Sequence, residues 1–136
     1  MARSLRVLSL VALAACADPG PPFSSIEGTW GGNDAGLIAS DTAAHVHIGC
    51  TLGDAPLPIA VDPDGRFTAS GRYNFQAFPI DLGVYHPARF SGRITGRTMS
   101  LTVTLTDTTL SFGPVTLTFG AQPQMGPCPI CRTPRR

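Results

Sequence analysis

From residue 26 to about residue 120, apolar and polar side chains alternate with a period of two, broken at intervals by turn-forming residues. That period puts successive side chains on opposite faces of an extended chain, so it predicts half-buried β-strands. The run 98–106 carries it most fully. Met99, Leu101, Val103 and Leu105 share one face, and Thr98, Ser100, Thr102, Thr104 and Thr106 share the other. Threonine is β-branched and suits the wet face of a sheet. Residues 66–73 turn Phe67, Ala69, Gly71 and Tyr73 inward, and residues 89–95 do the same with Phe90, Gly92 and Ile94. Residues 45–52 read as a single strand, with Val46, Ile48, Cys50 and Leu52 on one side and His45, His47 and Thr51 on the other. Shorter strands are predicted at 28–30, 36–40, 57–61 and 115–119.

The breaks between these runs have their own chemistry. Asp62-Pro63-Asp64-Gly65 combines a preset φ at proline with a free positive φ at glycine, as a tight hairpin requires. Gly31-Gly32-Asn33-Asp34 turns the chain after Trp30. At Gly113-Pro114 the apolar phase slips by one residue, from Leu110 and Phe112 to Val115, Leu117 and Phe119, which predicts a β-bulge. Residues 74–87 form an apolar loop with two prolines, carrying Phe75, Phe78, Ile80, Leu82 and Tyr85. Seven to eight short strands with one dry face curl to remove their edges. The predicted fold is therefore all-β, a small antiparallel up-and-down β-barrel, with a flattened sandwich as second choice. Trp30, Phe67, Phe90, Met99, Leu101 and Phe119 are large enough to fill so small a barrel.

Ahead of this domain the pattern is different. Arg3 and Arg6 precede an apolar run over residues 7–15, which ends in Leu13-Ala14-Ala15-Cys16. A basic start, a short apolar run and small residues before a cut site make an export signal too short to span a bilayer. Leu13-Ala14-Ala15-Cys16 resembles the lipobox of bacterial lipoproteins. The resemblance implies acylation of the Cys16 thiol, removal of residues 1–15 and a membrane anchor in the cell envelope, facing the periplasm or the exterior. Residues 16–25, with Pro19, Pro21 and Pro22, read as the acylated cysteine and a semi-extended tether. Residues 26–120 are the barrel domain, and residues 121–136 a Pro- and Arg-rich tail containing Cys128 and Cys131.

Composition narrows the function. The chain has ten Arg and no Lys against nine Asp plus Glu, and two of the arginines lie in the leading segment. Near-neutrality argues against nucleic-acid binding, and the lack of lysine excludes Schiff-base chemistry. Export permits disulfides, and of three remaining thiols Cys50 is expected to bridge to the tail, with Cys128 preferred to Cys131. His45, His47, Cys50, Cys128 and Cys131 are the candidate metal ligands, since imidazole and thiolate suit zinc or copper. A bridge takes two of those thiols, so no metal and no cofactor is predicted, with His45, His47 and Cys131 as the residual candidates. Cys128 and Cys131 lack the helix N-terminus that activates a redox pair. No serine stands in a G-x-S-x-G elbow and the acids are scattered through turns, so the chain is read as non-enzymatic.

Gly28-Thr29-Trp30 resembles the G-x-W signature of lipocalin-like barrels, in which the tryptophan plugs the closed end. A wider set is similar to a group of small bacterial exported proteins of uncharacterised activity: Gly28 to Gly32, Asp64-Gly65-Arg66-Phe67, Ser91-Gly92-Arg93, residues 98–103 and Leu117-Thr118-Phe119-Gly120. That resemblance implies a disulfide between Cys50 and Cys128. The expected function is a lipid-anchored, non-enzymatic barrel that binds a small apolar ligand or an envelope partner through Phe75, Phe78 and Tyr85. A protease-inhibitor or stress-protection module is the alternative, and a zinc or copper module the third reading.

Overall fold

A computed structural model describes residues 23–128. Cys16, the leading segment and Cys131 lie outside the described residues. Eight strands follow one another: β1 (Gly28–Gly32), β2 (Ala35–Ser40), β3 (Ala43–Ile48), β4 (Thr51–Pro56), β5 (Arg66–Asn74), β6 (His86–Thr95), β7 (Thr98–Leu105) and β8 (Ser111–Phe119). Each pairs with its neighbours in sequence, and β1 pairs with β8, so the sheet closes as an up-and-down antiparallel barrel. This is the barrel read from the alternation.

The tight connections follow local chemistry. Asn33 and Asp34 join β1 to β2, with Asp34 at positive φ. Asp62 closes the turn before β5: its carbonyl accepts from Gly65 N–H, and its carboxylate accepts from the N–H groups of Asp64 and Arg66. The slip at Gly113-Pro114 is a bulge in β8, where Leu101 pairs with Val115 but Val103 with Phe112.

Two expectations fail. Residues 45–52 are not one strand: the chain reverses at Gly49-Cys50, where Gly49 takes a positive φ, and β4 returns antiparallel to β3. A two-residue turn shifts the phase. Leu52 therefore lies opposite His47 on the outer wall, and Gly53 and Ala55 face inward. Residues 57–61 are not a strand either. Pro56 and Pro58 interrupt the ladder donors, and only a bridge between Ala60 and Ser25 remains.

The interior is filled by the chain itself. Trp30, Tyr73, Phe90, Met99, Leu101, Leu105 and Leu117 are all below 2% exposed or, for Phe90, at 2%. Side chains that buried touch no water-sized void, so the lumen is a packed core and not a cup. At the end where the described chain begins, Phe23, Trp30 and Phe119 pack with ring centroids 5.0–5.2 Å apart. The Trp30 indole N–H there meets no acceptor among the described residues.

After β8 the chain crosses the outer wall. Gly31 and Gly36 pair across the β1–β2 ladder, and a Cβ at either would collide with Gln122 backbone or the Pro123 ring. These two glycines leave a bare strip on which the tail lies. Asp34 N–H donates to Gln124 O and Gln124 N–H to Gly32 O, extending the sheet by a parallel bridge. The strap ends in a disulfide between Cys128 and Cys50 at the β3–β4 turn. Cys128, not Cys131, is the partner. The bridge spans 78 residues, so a chain-entropy estimate gives about 4.5 kcal/mol of stabilisation.

Gly36→Val is expected to lift the strap and lower unfolding free energy in urea by about 1–3 kcal/mol. In a Cys128→Ser background the strap is no longer pinned at its end, so the same substitution should cost less. An equal cost in both backgrounds contradicts this role for the glycine strip.

Candidate functional site

Strand topology sorts the surface into a wall and two ends. At one end lie the incoming segment from Phe23, the 57–65 connection, the β6–β7 turn and the end of β8. The turns at 33–34 and 49–50 and the loops at 75–85 and 106–110 make up the other.

On the wall, the unforeseen β3–β4 hairpin assembles a polar chain. His45 faces Asp54 across the ladder, and Asp54 faces Arg72 on β5. His45 Nδ1 lies 2.6 Å from Asp54 Oδ1, while Arg72 donates to the other carboxylate oxygen from Nε and Nη2 at 3.3 and 3.2 Å. With Nδ1 donating to a carboxylate, neutral His45 has its lone pair on Nε2. That atom sits 2.9 Å from His47 Nε2. Desolvation lowers the His47 pKa below 6.5, with the neighbouring His45 adding to it and Asp54 opposing it. Arg72 also stacks on Tyr85, 4.6 Å from the ring centroid. Sequence reading placed both histidines on one face, which is correct, but missed Asp54 because the strand phase was wrong.

The far end carries the apolar loop. Buried Asn74 donates to Asp81 Oδ1 at 2.7 Å, and the same oxygen accepts from Gly83 N–H at 2.7 Å. Asn74 Oδ1 accepts from Gln76 N–H. This clamp shapes the loop, and its apolar side chains point outward: Phe78, Ile80 at 69% exposed, Leu82 at 80% and Val84. The three aromatics singled out in the sequence have different surroundings. Phe78 is exposed, Phe75 packs against His86 and Phe112, and Tyr85 lies under Arg72. His86 in turn contacts Asp107 at 2.7 Å. Ile80 and Leu82 carry more of the free apolar surface than Phe75 or Tyr85. Their spacing about a clamped aspartate is a signal the sequence held.

At the opposite end, Phe23, Val61, Asp64, Arg93, Ile94 and Gly96 border an open depression of about 650 Å3. Arg93 Nε donates to Asp64 O across it. Inside the barrel, Thr51 donates to Ile48 O and so accepts from the Tyr73 hydroxyl at 2.6 Å. Among the described residues no group of three or more His, Cys, Asp or Glu side chains is placed to hold one metal ion together. No helix among the described residues is long and apolar enough to cross a membrane. Comparison with family models, curated protein sequences and solved structures finds no match to this chain.

Burial pushes the Tyr73 phenol up to about 12, the Thr51 contact opposing. A raised acid favours folding below the unfolded value near 10, and that contribution is lost as pH rises towards 12. In a Tyr85→Phe variant, where Tyr73 is the only tyrosine, phenolate absorbance should stay absent at pH 10.5 in the folded chain and be present in urea. Equal ionisation in both states contradicts its burial.

Proposed function

We propose that the protein is a lipid-anchored, non-enzymatic module of the cell envelope that docks a protein partner through the β5–β6 loop. One observation carries the reading: Phe78, Ile80, Leu82 and Val84 stand exposed together on a loop clamped by Asn74 and Asp81. Apolar side chains held outward in an ordered loop are costly unless something covers them. The packed interior supports a partner over a ligand carried in the lumen.

The proposed anchor would approach the barrel from one end. Cys16, the last residue of the lipobox-like Leu13-Ala14-Ala15-Cys16, stands seven residues before Phe23, a separation of at most about 25 Å. Phe23 enters the end of the barrel opposite the apolar loop. A membrane at the acylated Cys16 would therefore face the depression and leave Ile80 and Leu82 pointing away from the bilayer. A small apolar ligand is the second reading, favoured by that depression with Phe23, Val61 and Ile94 on its rim.

A photo-crosslinking residue at position 82 in intact cells is expected to capture an envelope protein, and Ile80→Ser with Phe78→Ser to abolish the adduct without changing far-UV circular dichroism. Capture that survives these changes contradicts the docking surface. Cys16→Ser is expected to move the chain from the membrane to the soluble fraction, and unchanged membrane association removes the anchor.

A further inference from the structure

The wall cluster lies apart from the apolar loop's exposed tip and has a chemistry that docking does not use. We propose that His45 and His47 form a surface site for a divalent transition-metal cation with a preference for imidazole, Cu²⁺ ahead of Zn²⁺.

The first support is convergence. Two imidazole Nε2 atoms lie 2.9 Å apart on adjacent outward positions of one strand, their ring centroids 4.8 Å apart and planes at 71°. Two nitrogens sharing one proton already aim at a common point, and a small rotation of either ring opens room for a cation between them. Rigidity of the strand fixes that convergence, since His45 and His47 are both held in ladders to β2 and β4.

The second support is the group behind His45. Asp54 accepts the hydrogen bond from His45 Nδ1–H at 2.6 Å, which fixes the tautomer with Nε2 free to ligate. Arg72 holds the other oxygen of the same carboxylate, so Asp54 cannot swing away. Metal-bound histidines commonly donate their other ring N–H to a carboxylate, as His45 does to Asp54. Arg72 puts a positive charge on this wall, but Asp54 pairs it and the Tyr85 ring lies against its guanidinium.

Proton balance is simple. Neutral His45 keeps its proton on Nδ1, and neutral His47 moves its one proton from Nε2 to Nδ1, so both Nε2 lone pairs bind the cation. Two imidazoles fill two positions, and water fills the others, because the side chain of His45 is 45% exposed. Two neutral nitrogen donors select late divalent ions, and the general affinity order puts Cu²⁺ above Zn²⁺.

The test is titration of the untagged full chain with Cu²⁺ and with Zn²⁺, after alkylating thiols outside the Cys50–Cys128 bridge. One Cu²⁺ per chain is expected, with nitrogen coupling from two imidazoles in the electron paramagnetic resonance spectrum and weaker Zn²⁺ binding. His45→Ala and His47→Ala should each weaken Cu²⁺ at least tenfold, Asp54→Asn by about 10–100-fold, and His86→Ala not at all. Circular dichroism confirms that each variant folds. No stoichiometric uptake, or uptake unchanged in the His45→Ala/His47→Ala double variant, overturns the site. Loss in the histidine variants with none in Asp54→Asn overturns the positioning role of Asp54.

Discussion

Closure of the barrel depends on its shortest seam. β1 and β8 meet at only two residue pairs, Trp30 with Phe119 and Gly31 with Thr118, whereas β6 and β7 pair over eight. Without that seam the sheet has two free edges and the core around Trp30 opens to water. The tail reinforces it. Gly120 N–H donates to Thr29 O, Gln124 bonds both ways with β1 and the turn after it, and the Cys50–Cys128 bridge pins the far end of the strap. Gly31 and Gly36 make this packing feasible, because any side chain there would occupy the path of Gln122 and Pro123.

A closed and filled barrel moves chemistry to the outside. The lumen holds Tyr73, Phe90, Leu101 and Leu117 at full burial, so recognition has the wall and the two ends to work with. The wall contributes the line from His47 through His45 and Asp54 to Arg72, and the far end contributes the clamped apolar loop. Both rest on β4 and β5: Asp54 and Arg72 pair in the ladder, and Asn74, which anchors the loop, pairs with Leu52 two residues away. Reinforcing the seam and holding the surface groups in place are thus linked through the β3–β4 turn, where Cys50 sits.

Much of this was legible in the residues. The alternation over 98–105 gave the face of β7 residue by residue, and the slip at Gly113-Pro114 gave the bulge. The hairpin at Gly49-Cys50 was hidden because polarity kept alternating across it while the true phase shifted by one. In β4 Gly53 and Ala55 face inward while Leu52 and Asp54 face outward, since the Tyr73 ring presses on Gly53 and leaves no room for more. Volume decided that strand, and a polarity pattern cannot read volume. Asp54 was lost with it. The strap was invisible for a similar reason: glycine pairing with glycine across two strands looks like weak β-propensity until something lies on top.

The most direct measurement is native-state hydrogen exchange of the oxidised chain against a Cys128→Ser variant. The amides of Asp34, Gly120 and Gln124 should exchange at least about tenfold faster in the variant than the loss in global stability alone explains, while those of Phe90 and Val103 follow global unfolding. Uniform acceleration of all these amides would mean that the bridge acts only on the unfolded chain and that the strap does not hold the seam.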